Sequence, residues 1–493
     1  MSGIVGIVSG KDCLDDLFYA TDYHSHLGTE YGGLAITDGE RLVRRVHSIK
    51  KAQFKARFFQ DIDFQTFKGN KGIGVISDRD FQPLIPTLRF GEYAMVGSGY
   101  IYNQDELARR LIGEGVVFSE TRNGGVNQIE LAAKLINKGN DLVDGINYMN
   151  NQIEGSMSLI LLGREGIYAA RAKYGHTPLV LGEKEEEGNK SRVVAFETTS
   201  YKNLGFFTKR FLGPNEIIFL DAEKEKQLQK PNNELQLCTF LFVYTGFPTS
   251  EYEGKNVTAY REASGRIMAK RDDVELDWIS GVADSGSIYA DGYANESHVP
   301  IAPVTSKYGP GWQRSYTPPS QRIRDLIATM KQVSSEELIR EKRLGITEDS
   351  IVRGTQLMNF YLVKLWKAGA KEIHIRPACP ALMWPCKNRF ATRTKEELFA
   401  RKILKEMHGR WLEDNELGAY LDVNSQQYGE MIGAMEKHMK EISLSHAGLS
   451  PEGRRLSLRY QTLENTLAST GLPKEKLCTS CWDGCDPTKC KTK

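Results

Sequence analysis

The sequence predicts two fold classes in tandem: an α+β domain, then an α/β domain built on a parallel sheet. Three observations predict this. Up to about residue 235, short apolar runs are set off by Gly, Asn and Asp turns, as in a strand-rich layered domain. From residue 275 onward, strand-like runs alternate with helical patterns. Within that half, a strand–loop–helix–strand unit over 343–376 needs a crossover connection, which makes its strands parallel and places a ligand at their C-terminal ends.

In chain order, the opening Ser2-Gly3-Ile4-Val5-Gly6-Ile7-Val8 suits a buried first strand. No basic segment precedes this short apolar run, so it does not read as a signal peptide. Strands are expected at 72–77, 93–97, 157–162 and 216–220, and helices at 103–113 and 128–137. The charged run 183–190 reads as a solvated turn. A strand over 275–282 leads through Asp284-Ser285-Gly286 into a helix of small residues. A helical stretch over 321–331 precedes the strand 343–347, the helix 357–368 and the strand 372–376. Residues 395–470 are mostly polar and helical, and 473–493 form a lysine-rich tail with four cysteines. The expected divisions are 1–235, 236–450 and a tail, 451–493, that packs on the domain junction.

Composition excludes some functions. Lys and Arg number 65 against 63 for Asp and Glu, so nothing favours nucleic acid or an anionic membrane as partner. No run approaches the roughly 18 apolar residues of a membrane span. A cytoplasmic location is expected. The eight cysteines, at 13, 238, 379, 386, 478, 481, 485 and 490, are too few and too clustered for a disulfide scaffold and suit a metal site.

The segment richest in chemistry is Ile346-Thr347-Glu348-Asp349-Ser350-Ile351-Val352-Arg353-Gly354-Thr355. An apolar strand runs into two carboxylates, which can bind ribose hydroxyls or hold Mg²⁺. The loop behind them offers backbone N–H groups and hydroxyls at a helix start, where phosphate binds well. The plain alternative is a capped strand–turn–helix.

These residues resemble the phosphoribosylpyrophosphate (PRPP) loop of the glutamine PRPP amidotransferase (amidophosphoribosyltransferase) family, and the resemblance extends over nearly the whole chain. It implies an N-terminal-nucleophile αββα domain followed by a type I phosphoribosyltransferase domain. It implies that Glu348 and Asp349 hold the ribose hydroxyls, while Ser350, Arg353, Gly354 and Thr355 cradle the 5-phosphate. Asp284, Ser285 and Gly286 resemble the family's PDSG turn, with Ala283 in place of proline. Lys307 and Arg314 stand where a flexible loop meets pyrophosphate, and 316–321 with Arg322 and Arg324 resemble the end of that loop. PRPP and Mg²⁺ are thus the implied substrate and metal, and a homo-oligomer the implied assembly.

Cys478-Thr479-Ser480-Cys481 is a C-x₂-C knuckle, which alone fits zinc, a redox pair or neither. The resemblance adds Cys238 and Cys386, so that Cys238, Cys386, Cys478 and Cys481 would hold a [4Fe-4S] cluster. Zinc on the same four residues, and a tail-only site of Cys478, Cys481, Cys485 and Cys490, are the rivals. Cys13 and Cys379 read as plain buried thiols.

The N-terminal domain departs from the family where glutamine is handled. Ser2 stands at the position of the catalytic cysteine, and serine is a far weaker nucleophile than a thiolate. The family's GHVRY strand is Gly74-Val75-Ile76-Ser77-Asp78 here, and its HNG turn is Gly97-Ser98-Gly99. The SDTE acid falls near Asn127, and residues 23–30 replace LQHRGQD. The expectation is a retained scaffold without glutaminase, supplied with free ammonia or by an ammonia-delivering partner, and making 5-phosphoribosylamine. A transferase for a different amine and a silent PRPP or redox sensor are the alternatives. Arg79 and His24 are candidate contacts if the old pocket takes another small molecule.

Overall fold

The computed structural model describes residues 2–61, 66–122, 125–308, 330, 332–388 and 392–485. Two antiparallel sheets form the N-terminal half. The first has seven strands in the order Phe207–Phe211, Val180–Glu186, Asn189–Ala195, Gly3–Ser9, Lys71–Ser77, Tyr31–Thr37, Leu42–Ser48. The second has five, in the order Glu225–Gln229, Ile217–Leu220, Ile167–Ala170, Gly155–Leu162, Ala94–Ile101.

The period-two alternation of strand side chains builds the layers. Ile4, Val8, Ile73 and Val75 face Val96, Ile160, Leu162 and Ala169 between the sheets. Val5, Ile7 and Ile76 point the other way, onto Leu17 and Phe18 of the helix Leu14–Asp22. Met95, Leu159 and Leu161 pack outward on the helices Gln128–Ile136 and Leu142–Gln152. The expected αββα layering is therefore present.

The C-terminal half is built on four parallel strands in the order Trp278–Gly281, Arg343–Glu348, Glu372–Pro377, Arg455–Leu458. Both faces are covered, as parallel sheets require. The helices Val257–Lys270 and Ser287–Ser297 take one side, with Tyr260, Tyr289 and Tyr293 in a core that is continuous with the N-terminal sandwich through Leu237, Leu241 and Phe242. The helix Phe399–His408 and the 22-residue helix Gln426–Ala447 pack in the other core, with Leu365, Trp366, Met431 and Met435.

Three local expectations are corrected. The run 183–190 is mostly hairpin arm: its turn is only Glu187 and Gly188, both at positive φ, because charged side chains on an exposed hairpin can point to solvent. The strand expected over 275–282 is confined to Trp278–Gly281. The edge strand Arg455–Leu458 lies in a region read as helical; pairing with Glu372–Pro377 supplies what its own sequence does not advertise. The helix expected over 321–331, apart from Met330, and the residues Arg314, Arg322 and Arg324 lie outside the described residues. Among the described residues, no helix is long and apolar enough to cross a membrane.

Candidate active site

The strand Arg343–Glu348 lies second in the parallel sheet and ends at the carboxylates. Beside it, the strand Trp278–Gly281 runs into the turn 283–286, whose Ala283–Asp284 peptide is cis. The two chain ends lock together. Val282 N–H donates to the Thr347 carbonyl (3.0 Å), and the Thr347 hydroxyl donates to the Gly286 carbonyl (2.9 Å). A Cβ at Gly286 would stand 2.2 Å from the Thr347 carbonyl oxygen, so only glycine permits this approach. The Ser285 hydroxyl thereby reaches Glu348 Oε1 at 3.4 Å.

Asp349 is 4 % exposed. Burial raises its carboxyl above the ordinary range, while hydrogen bonds from Ser350, Glu348 and Ser285 pull the other way. The Ser350 hydroxyl donates to Asp349 Oδ2 at 2.6 Å. The loop then turns through Gly354 at φ +73°, and the Met358 N–H closes on the Gly354 carbonyl at 2.9 Å to start the helical segment 355–367. Arg353 is exposed and held by Glu397 at 2.7 Å. On the other flank, Lys307 pairs with the exposed Asp284. The structure thus brings Asp284, Ser285, Gly286, Lys307, Glu348, Asp349, Ser350, Arg353, Gly354 and Thr355 to one sheet edge; Arg314 lies outside the described residues.

Some supporting residues carry no motif. Gln332 Nε2 donates to the Ala283 carbonyl at 3.2 Å, and the Phe399 N–H donates to the Val352 carbonyl at 2.7 Å. Glu397 belongs to the same group. Each comes from a segment remote from the loop it supports, so no spacing in the sequence signals it.

The four cysteines of the second candidate site come from three segments. Leu237–Cys238 pairs in parallel with Leu477–Cys478, with Cys238 opposite Cys478. The Cys481 carbonyl accepts the N–H groups of Met383 and Trp384, which brings the knuckle to the segment that carries Cys386. All four are free thiols. Burial pushes Cys238 well above the usual thiol range, and Cys478 and Cys386 push it further. Cys478 is pushed up to about 11, and Cys481 feels Cys386, Cys478 and Cys238. Among the described residues, no three His, Cys, Asp or Glu side chains converge tightly enough to hold a single metal ion. Cys485 is disulfide-bonded, which removes it from a tail-only thiolate set. Cys13 and Cys379 are buried free thiols, as expected.

The glutamine-handling positions form a third cluster. Ser2 sits at the start of the central strand Gly3–Ser9, and its hydroxyl donates to Ser77 Oγ at 3.2 Å. Gln82 is bound to both backbone groups of Gly97, accepting at 2.8 Å and donating at 3.3 Å. Asn127 caps the helix Gln128–Ile136 through Ile129 N–H and donates to the Phe81 carbonyl. The cavity between Ser2, Arg79, Gln82, Gly97, Tyr100 and Ile129 has room for about 10 Å³, which is near one water. Arg79 lines it with its guanidinium 4.2 Å from the Tyr100 ring centre. His24 is fully buried and bound to the Ala20 carbonyl, so it is a core residue.

Comparison with known proteins supplies a context for this arrangement. Residues 72–199 match a glutamine amidotransferase domain family. The amidophosphoribosyltransferase of Mycobacterium bovis is 27 % identical, with 98 % of this chain and 85 % of that protein covered. The amidophosphoribosyltransferase of Drosophila melanogaster is 29 % identical over 81 % of this chain and 77 % of its own length. The fold matches that of glutamine PRPP amidotransferase from B. subtilis, solved with ADP and GMP, at a TM-score of 0.77 and 24 % identity, covering 98 % of this chain and 97 % of that one.

Proposed function

Because the chain belongs to the amidophosphoribosyltransferase family along nearly its whole length, we propose that it binds PRPP at the Glu348–Thr355 edge. There it transfers an amino group from ammonia to PRPP, giving 5-phosphoribosylamine and pyrophosphate. The observation that carries this reading is the Ser285–Glu348–Asp349–Ser350 arrangement, backed by a positive-φ loop at a helix start. Glu348 and Asp349 accept from the ribose hydroxyls and fix the anomeric carbon for in-line attack. The backbone N–H groups of 350–355 and Arg353 take the 5-phosphate. Lys307 leaves Asp284 to meet the pyrophosphate. The donor set of Glu348, Asp349 and Asp284 fits Mg²⁺ brought in with PRPP, which would neutralise charge building on the leaving group.

The same reading makes the N-terminal domain a scaffold without glutaminase. The cavity beside Ser2 has room for about one water, and Asn127, near the position of the acid that binds the glutamine amine in the family, is spent on Phe81 and the helix cap. Ammonia is then free or delivered by a partner protein. The four thiols fit a [4Fe-4S] cluster, in that all are free, Cys238 and Cys478 are buried, Cys386 and Cys481 are partly buried, and they come from three segments that a shared ligand would tie together. Bound there, the cluster supplies a cross-link among those segments. A cytoplasmic homo-oligomer completes the proposal.

The altered glutamine-handling positions also favour a second reading, a silent PRPP or redox sensor. One assay separates the two. Pyrophosphate release from PRPP and Mg²⁺ is measured with ammonium, with glutamine, with other primary amines and with no nucleophile. The transferase reading expects release with ammonium alone. Release with none of these, from a protein that still binds PRPP, leaves the sensor, and release only with another amine reassigns the nucleophile.

A further inference from the structure

Behind the 350–355 loop lies a cleft that shares Arg353 and Thr355 with the proposed 5-phosphate cradle and whose other walls the proposed reaction does not use. Three elements wall it: the helical segment 355–367, the helix Phe399–His408 and the helix Gln426–Ala447. Helical spacing aims one stripe of each inward: Thr355 and Asn359; Phe399, Lys402, Ile403 and Glu406; His438, Ile442 and His446. The cleft has room for about 280 Å³, within reach of the size class of small-molecule sites.

Its chemistry is divided. Met358, Phe399, Ile403 and Ile442 make an apolar floor. Arg353, Lys402, His438 and His446 are the cationic or protonatable groups of the rim, against one carboxylate, Glu406. That carboxylate is occupied, with His438 Nδ1 at 3.3 Å. Arg353 is anchored to Glu397. Among the described residues, Lys402, His446, Thr355 and Asn359 make no ion pair or side-chain hydrogen bond, so four polar groups converge on the cleft with their capacity unspent.

We propose that this cleft is a second ligand site, for a small organic oxyanion with a flat apolar body. The body lies on the floor against Phe399, and the oxyanion meets Lys402 and Arg353, with Thr355 and Asn359 as hydrogen-bond donors. Arg353 is already answered by Glu397 and Glu406 faces His438, whereas Lys402 has no ion-pair partner among the described residues, so a neutral or cationic ligand leaves its amine unanswered. Arg353 and Thr355 also belong to the loop that takes the 5-phosphate. On the PRPP reading given above, the two ligands are therefore linked, each changing the other's affinity by the same factor.

The probe is 1-anilinonaphthalene-8-sulfonate, titrated by fluorescence into the full-length protein without PRPP. One saturable site per chain is expected. Lys402→Glu and Ile442→Asn should each weaken it at least about tenfold, a change of roughly 1.4 kcal/mol, while Lys402→Arg keeps it. Phenyl phosphate and benzoate then compete in separate arms, which tells a phosphate ligand from a carboxylate one; inorganic phosphate alone should not displace the probe. Unchanged binding in both Lys402→Glu and Ile442→Asn, with melting temperatures like the wild type, overturns the site. So does displacement by inorganic phosphate as strong as by phenyl phosphate. A final arm repeats the titration with saturating PRPP. An unchanged probe affinity there, in a protein whose melting temperature PRPP raises, overturns the linkage. A protein that ignores PRPP altogether refutes the transferase reading and leaves the probe result to be judged by the first two arms.

Discussion

Cys238 and Cys478, from opposite halves of the chain, stand as register partners in a two-residue parallel pairing. The Thr239 hydroxyl donates to the Cys478 carbonyl at 2.9 Å and fixes that pairing. Next to it, the indole of Trp482 stacks on Phe240, with ring centres 5.4 Å apart. The tail is therefore docked on the junction by its own hydrogen bonds and aromatic packing, which set Cys238 and Cys478 side by side in register. A buried thiol with a raised pKa stays neutral until a metal displaces its proton.

Anaerobically purified protein is accordingly expected to be brown, with about four irons per chain. Alanine at Cys238, Cys386, Cys478 or Cys481 should remove the colour, and alanine at Cys13 or Cys379 should not. Iron and zinc analysis of the same samples is the check. One tightly held zinc in a colourless protein would replace the cluster and leave the ligand set intact.

Glutamine is expected to give no glutamate, with or without PRPP. Ser2→Cys alone should not restore release, because Ser77 and Asn127 stand where the family binds the two ends of glutamine and lack the arginine and the acid that do so. Glutamate production at the rate of a working glutaminase would falsify the scaffold reading.

Asp349 sets stability against binding. Its carboxyl is raised by burial, so ionising it opposes folding, and this penalty grows as pH rises through its folded pKa. Asp349→Asn should therefore melt at or above the wild-type temperature at pH 8, with the difference shrinking as pH falls through the carboxylate range. The same variant should lose the rise in melting temperature that PRPP and Mg²⁺ give the wild type. Arg353→Ala should also lose that rise; Arg353 is exposed, so its own melting temperature should stay near the wild type. A wild type that answers ribose-5-phosphate or pyrophosphate as strongly as PRPP removes the basis for the site.

Glu197 ties the two halves together. It is fully buried, accepts from Tyr252 at 2.7 Å and from Phe247 N–H at 3.2 Å, and faces His26 at 3.1 Å. Burial alone would raise its carboxyl, but His26, His24 and the Tyr252 hydroxyl outweigh this and hold it down to about 2. Its contribution is present above the ordinary glutamate range and is lost as pH falls toward 2. Glu197→Gln should cost about 2 kcal/mol at pH 7, and the cost should fade in acid. Denaturant titrations at pH 7 and pH 3 test this; an equal loss at both would show that the charge is not what matters.

How much was legible beforehand follows from where each signal resides. The alternation of Ile4 and Val8 against Val5 and Ile7 is a local, period-two pattern, so the layered domain could be read from the residues themselves. So could the loop at 348–355, because acids at a strand end and a glycine at a helix start are neighbours in the chain. The departures from the family pattern at Ser77, Ser98 and Asn127 are legible for the same reason. The strand Arg455–Leu458 was not, because it is a strand by virtue of pairing with Glu372–Pro377. The small cavity beside Ser2 was not either: Gln82 lines it while bonded to a strand that begins twelve residues later. The cleft beside Arg353 is assembled from three helical segments whose stripes meet only in the packed molecule. The order of the elements and the chemistry each carries depend on near neighbours, and so lie in the residues as written. Which of those chemistries face each other depends on contacts between residues far apart in the chain, and packing alone sets it.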